Sequence, residues 1–270
     1  MEIITFNNSK GGCAKTTSTF FVSNLFANES HEKVEDKYKR NRRRKTLVID
    51  GDYQGNLSNA LLKEKYDDKT GGLLEVLKEG NAIPFTQEIG EDFYLIQSSE
   101  RLSQFDSYFE QRLKGTEGAL QTLERALTQL VQALEIDVIV CDTAPALNQI
   151  LLQILNLGAT WNVPNKVIIP IPVDEFGLQS IGTVTNNLTA SLKTNSNLSL
   201  VGLLPVLYDS RIKQHRQTLE DLKKIYNGLI LDVTIPYRSG IVDIRSNGFT
   251  EHLSKQRKDL EPYYELLLKL

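Results

Sequence analysis

Cysteine is scarce: there are two in 270 residues, Cys13 and Cys141, far apart and in no C-x-x-C pair. That excludes a disulfide scaffold and leaves no thiol set for a zinc or iron–sulfur site within one chain. Long apolar runs are missing, since none approaches the roughly 18–20 residues that cross a bilayer. The opening Met-Glu-Ile-Ile-Thr-Phe has neither the basic start nor the apolar stretch of a secretory signal, so a cytoplasmic location is expected. An excess of one charge is missing too. With 31 Lys and Arg against 34 Asp and Glu, the net charge is −3 with His neutral. A chain so balanced is no general nucleic-acid coat, and any contact with DNA has to come from a local patch. Internal repeats, long Gly/Ser or Pro-rich linkers and breaks in composition are also absent, which predicts one domain over 1–270.

Hydrophobic residues make up 40% of the chain and charged residues 24%, a composition that rules out a wholly disordered protein. Short apolar runs at 3–6, 46–49, 93–96, 137–141, 167–171, 200–204 and 229–235 alternate with longer amphipathic stretches. Most carry β-branched residues at consecutive positions, as strands buried on both faces do. Helix-like stretches lie between them, at 118–134, 147–159 and 211–226. In the first, Leu120, Leu123, Leu127, Leu130 and Leu134 recur at steps of three and four. This alternation predicts an α/β fold, a doubly wound, mostly parallel sheet flanked by helices.

One stretch departs from the pattern. Residues 29–36 are mostly charged, and 37–45 (KYKRNRRRK) carry seven positive charges. So polar a run packs no core, which predicts a solvated insertion at about 29–45. Two readings stand for it: a solubilising excursion, or contact with a phosphate backbone through Arg42, Arg43 and Arg44.

The first apolar run leads into Asn-Asn-Ser-Lys-Gly-Gly-Cys-Ala-Lys-Thr-Thr, and a helix follows through Phe20, Val22, Leu25 and Phe26. Strand, glycine-containing turn and Lys-Thr opening a helix is the context a nucleotide phosphate needs. Backbone N–H groups and the helix N-terminus face the anion, Lys15 neutralises the β- and γ-phosphates, and the Thr16 hydroxyl has a place on Mg²⁺. The pattern G-x-x-x-x-G-K-[ST] is broken twice, by Ser9 and by Ala14, while Lys10-Gly11-Gly12 is added. The resulting Lys-Gly-Gly-x-x-Lys-Thr-Thr string resembles the deviant Walker A motif of the ParA/MinD ATPases. The resemblance makes residues 10–17 (Lys10, Gly11, Gly12, Cys13, Ala14, Lys15, Thr16, Thr17) the ATP-binding loop of a P-loop NTPase. It makes Lys10 the signature lysine that enters the partner's site in an ATP-bound homodimer, acting as an arginine finger does. Ala14 stands where the family most often has glycine, a modest change at a position entering the helix.

Three further segments extend the resemblance. Residues 47–58, with Asp50, Asp52, Gln54 and Asn56, match the family's Asp-x-Asp-x-Gln-x-Asn motif. Asp50 then holds Mg²⁺ through water and Asp52 orients the attacking water, a task suited to a carboxylate beside a metal-bound nucleotide. Residues 137–145 look like the Walker B strand, with Asp142 reaching the Mg²⁺ shell and Thr143-Ala-Pro145 as a γ-phosphate switch. Residues 169–178 resemble the strand and turn that follow. Residues 204–211 and 234–238 fall where the family frames adenine, so Tyr208, Asp209 and Pro236 are candidates for the base pocket or for core and turn positions.

Among branches of the family, a reductase needs cluster-bridging cysteines, and neither Cys13 nor Cys141 is placed to ligate. A MinD-like protein ends in a basic amphipathic helix, whereas residues 259–270 carry one lysine, three acids and a proline. The resemblance therefore favours a DNA partition ATPase using ATP and Mg²⁺, binding non-specific DNA on the nucleoid and stimulated by a ParB-like centromere-binding partner. With the phosphate loop starting at residue 10, no helix-turn-helix precedes it and sequence-specific operator binding is not expected. Candidate DNA contacts are Arg211, Lys213, Arg216, Lys223 and Lys224 on one helix, with Lys255, Arg257 and Lys258 near the last; a merely solvated face is the other reading. The alternative function is a MinD-like membrane-cycling or protein-positioning ATPase without DNA binding.

Overall fold

Ile3, Ile4 and Phe6 are wholly buried in one strand, so both faces of that strand are covered. The computed structural model describes residues 1–28, 43–62, 71–174, 179–237 and 253–270. In chain order the elements are β1 (Glu2–Phe6), α1 (Lys15–Asn28), β2 (Thr46–Gly51), α2 (Asn56–Leu62), α3 (Leu73–Glu79), β3 (Gln87–Gly90), β4 (Phe93–Ile96), α4 (Phe105–Tyr108) and α5 (Thr122–Leu134). They continue with β5 (Val138–Thr143), α6 (Gln149–Leu155), β6 (Asn165–Pro172), α7 (Gln179–Ser191), β7 (Leu198–Tyr208), α8 (Lys213–Ile225), β8 (Ile235–Pro236) and α9 (Leu253–Leu267).

The strands form one sheet in the order β3-β4-β2-β5-β1-β6-β7-β8, parallel throughout except for the antiparallel pair β3/β4. The doubly wound α/β expectation holds. Every expected apolar run lies in a strand or, for 137–141 and 229–235, partly in one, with an isolated bridge from Leu203 to Ile230 preceding β8. The sequence reading missed β3, whose four residues include one large apolar side chain, Ile89, and none that is fully buried; it is held by a hairpin turn with Asp92 at φ 55°. The leucine stripe packs as expected, with Leu123, Leu127 and Leu130 buried, but regular α-helix begins at Thr122. Residues 119–121 form a 3-10 turn, because Gly118 is left-handed at φ 69°.

Alternating side chains of the strands feed opposite faces. Ile4, Phe6, Val48 and Val140 pack with Phe20, Phe21 and Leu25 of α1 and with Leu260, Tyr263 and Leu266 of α9. Ile3, Leu47, Ile49 and Ile139 pack with leucines of α3 and α5 and with Ile150 and Ile154 of α6. Helix α1 is buried almost all round. Several of its polar residues are satisfied locally: Thr19 Oγ1 donates to Lys15 O at 3.0 Å and Asn24 Nδ2 to Phe20 O at 2.8 Å.

The C-terminal ends of β1, β2 and β5 finish level, with Phe6 paired to Asp142 and Asp50 to Asp142. Ligands of open parallel sheets bind at this edge. Gly51 allows the close finish: a Cβ there would come 2.6 Å from Ile154 Cδ1 and 2.7 Å from Asp142 O.

Candidate nucleotide site

After β1 the chain turns sharply, and the turn is held by a series of bonds. Asn8 Nδ2 donates to Pro170 O at 2.6 Å, and Asn8 Oδ1 accepts from Lys10 N at 2.9 Å. Thr143 Oγ1 donates to Phe6 O at 2.8 Å, tying the end of β5 to the entry of the loop. Helix α1 then opens at Lys15. The Lys15 side chain is buried, and its Nζ donates to Lys10 O at 2.9 Å, 3.6 Å from Cys13 Sγ. The Cys13 thiol also donates to Lys10 O, and burial pushes its pKa up against the opposing pull of Lys15. An ammonium so placed, at a helix N-terminus beside the backbone N–H groups of a tight loop, is a phosphate receptor.

Residues 11–17 line a cavity of about 740 Å³, within the range of small-molecule sites. Asp52, Asn56, Asn59 and Ala60 form one wall, and Leu207, Ile235, Pro236, Tyr237 and Tyr263 another. Two buried carboxylates, Asp50 and Asp142, lie side by side at the adjoining strand ends. Burial, with the charge of neighbouring carboxylates, pushes both above the ordinary carboxylate range. Asp142 Oδ1 accepts from Thr143 N, but Asp142 Oδ2 is buried with no protein donor, and the Thr16 side chain lies beside that carboxyl. An orphaned carboxylate oxygen next to the first hydroxyl of the helix fits a divalent cation. Asp50 offers less, because Oδ1 accepts from Asp52 N and Oδ2 accepts twice from Ser58. Of the two expected carboxylate ligands, Asp142 has the open position, while Asp50 is spent on the turn that carries Asp52.

The family described as an AAA domain matches residues 1–201. Over 238 residues the chain is 27% identical to the chromosome partitioning protein ParA of Myxococcus xanthus, covering 87% of this chain and 75% of that one. It is 25% identical over 263 residues to the sporulation initiation inhibitor protein Soj of Bacillus subtilis, covering 92% and 88%. Its fold superposes on the ATP complex of a Cyanothece McdA with a TM-score of 0.77 at 20% identity, over 100% and 96% of the two chains. It also superposes on a Mycobacterium smegmatis cobyrinic acid a,c-diamide synthase bound to ADP and magnesium, with a TM-score of 0.72 at 25% identity over 96% of each. The chain belongs to the ParA/MinD family of P-loop ATPases.

Several expected site residues of this ParA-family chain fall elsewhere than the sequence suggests. Of the base-pocket candidates, Pro236 lines the phosphate-loop cavity, but Tyr208 and Asp209 line a neighbouring one of about 610 Å³. The cause is a register shift between Val206 and Tyr208, where Leu207 is left-handed at φ 58°. The bulge turns Leu207 into the nucleotide cavity and its successor away. Asp209 is engaged by Arg211 at 2.6 Å, which holds its carboxyl down at about 2. Ala14, which the sequence places entering the helix, is instead left-handed at φ 60°. An L-residue there costs roughly 1–2 kcal/mol, which is why glycine suits the position better.

Lys10 lies at the rim, where its Nζ meets Asp174 of the same chain at 3.2 Å. Sequence reasoning missed Asn59, Ala60, Leu207, Tyr237 and Tyr263 as walls. Asn59 was reachable, one turn after Asn56 on the same face of α2; Tyr263, a helix away and stacked on Phe21 at 4.7 Å, was not.

The basic residues divide into two groups. Arg43 donates to Ala27 O and pairs with Glu91, and Arg44 pairs with Glu2, donates to Asp137 O at 2.8 Å and lies 4.9 Å over the Phe26 ring. Both sit at the end of the sheet remote from the phosphate loop, where they bind their own fold. Burial raises the Glu2 carboxyl, but bonds from Lys166 and Arg44 outweigh it and hold it below its ordinary value. Arg44→Ala is expected to cost about 2 kcal/mol by breaking this half-buried pair and its ring contact, read as a fall in the urea midpoint at unchanged slope. Arg42 and most of the charged insertion lie outside the described residues, as do the side chains of Lys255, Arg257 and Lys258. On α8, Lys213, Lys223 and Lys224 are exposed, as is Arg216. Arg211 is exposed but neutralised by Asp209.

Proposed function

We propose that this ParA-family ATPase is a DNA partition protein, acting as a single domain that binds ATP with Mg²⁺ and hydrolyses it weakly until a ParB-like centromere-binding partner stimulates it. What carries the reading is one juxtaposition: Lys15, Thr16 and Asp52 line one cavity beside the phosphate loop, and the Thr16 side chain lies beside the buried carboxyl of Asp142. Lys15 and the backbone N–H groups of the loop bind the β- and γ-phosphates. Thr16 and Asp142 would hold the divalent cation, which offsets phosphate charge when bound. Asp52 accepts a hydrogen bond from water and orients it toward the γ-phosphorus, so that the bond to the ADP oxygen breaks as water adds.

Two such chains close face to face on ATP, each Lys10 leaving Asp174 for its partner's triphosphate. Closure doubles the α8 surface, and Lys213, Arg216, Lys223 and Lys224 meet the phosphates of non-specific DNA on the nucleoid. No helix among the described residues is long and apolar enough to cross a membrane. Leu260, Leu266 and Leu267 of α9 are spent on the core, which leaves them unavailable to a lipid surface.

ATP-dependent retention on random-sequence DNA, compared with anionic liposomes, tests the reading. Replacing the four α8 residues by Ala is expected to weaken DNA retention and to lower the salt slope by about 0.9 for each phosphate that is no longer neutralised. Retention on liposomes alone, or an unchanged slope, overturns DNA partition and favours a protein-positioning ATPase.

A further inference from the structure

Ser58 does not line the cavity, yet it is wholly buried and its hydroxyl is used twice. It donates to Asp50 Oδ2 at 2.7 Å and accepts from Ser98 N at 2.9 Å. The Ser58 backbone N–H adds a second bond to Asp50 Oδ2 at 2.8 Å. The other oxygen of Asp50 accepts from Asp52 N at 3.1 Å. The turn that follows is closed by Asp52 itself, whose Oδ1 accepts from Gln54 N at 3.0 Å and whose O accepts from Gly55 N at 2.9 Å. Gly55, left-handed at φ 62°, lies so near Ser98 that a Cβ would come 3.1 Å from Ser98 O. One hydroxyl thus joins the end of β2, helix α2 and the chain leaving β4, and the joint ends on the backbone of the residue assigned to orient water.

We propose that Ser58 is a positioning residue for hydrolysis: its hydroxyl clamps Asp50, and Asp50 sets Asp52 toward the phosphate loop. Without it, Asp50 keeps one donor on Oδ2 and Ser98 N loses its acceptor in a buried place. The Asp52 turn then loosens while the phosphate loop, built from β1 and α1, is untouched. The inference rests on the assignment of hydrolysis to Asp52.

Turnover of saturating ATP with Mg²⁺ and the dissociation constant of a fluorescent ATP analogue test it, on the full chain and on Ser58→Ala and Ser58→Cys. Cysteine keeps the shape and supplies only a weak donor. Turnover is expected to fall about 10- to 100-fold in both variants, as for a misplaced catalytic group, with the dissociation constant within about threefold of the parent. A folded variant with parental turnover overturns the proposal. So does a loss of affinity by the same factor as turnover, which marks a merely structural role. If Ser58→Ala does not fold, Ser58→Cys decides alone. A parent that releases no phosphate from ATP would remove the hydrolytic reading itself, a result distinct from either outcome for Ser58.

Discussion

Lys15→Ala is expected to weaken ATP binding by at least about 100-fold while leaving the fold intact. A charge-assisted bond to phosphate contributes about 1.5–3 kcal/mol, and an ammonium shared between two phosphate oxygens makes two such bonds, which makes two orders of magnitude the smaller expectation. The fold does not depend on it. Lys15 Nζ donates to Lys10 O, an acceptor that Cys13 Sγ also serves. Titration with a fluorescent ATP analogue measures the loss, and an unchanged thermal midpoint without nucleotide is the control. Parental affinity in a folded Lys15→Ala chain would mean that the cavity beside the loop is not a triphosphate site.

Asp52→Ala is expected to have the opposite profile, with affinity kept and turnover reduced by about 10²–10⁴, the usual worth of a positioned general base. Asp52 lines the cavity, and its backbone rather than its carboxylate holds Asp50. Truncation therefore removes the acceptor for water and one turn bond, to Gln54 N, and spares the receptor. Phosphate release under single-turnover conditions, beside analogue binding, separates the two effects. Turnover at the parental rate would return Asp52 to a turn-forming residue.

Why some of this was legible in the amino-acid order and some was not has a physical explanation. The parallel core was legible because strands buried on both faces need continuous apolar runs, and β1, β2, β5 and β6 carry them. The phosphate loop was legible because its chemistry is local: a short run of consecutive residues and a helix N-terminus form the receptor. Short β3, with Ile89 as its one large apolar side chain, left no such mark, and it pairs with β4 across a two-residue hairpin turn. On the far wall Pro236 was legible, but the choice of Leu207 over Tyr208 depends on one left-handed residue. With ordinary alternation Tyr208 would face the nucleotide; the bulge at Leu207 reverses the choice. The basic residues mislead for a different reason. A run of arginines has the same composition whether it meets phosphate or Glu2 and Glu91, and only the distances distinguish these cases.

The pairing of Lys10 with Asp174 bears on how much protein is needed before chains associate. An exposed pair of this sort contributes at most about 1 kcal/mol. In a two-fold assembly of the kind proposed, both copies give up theirs in one event, so up to about 2 kcal/mol opposes a single equilibrium, or some 30-fold (about 1.5 decades) in its constant. The pair thus raises the concentration of loaded protein at which chains associate, and crowding of many copies onto one scaffold works against that offset.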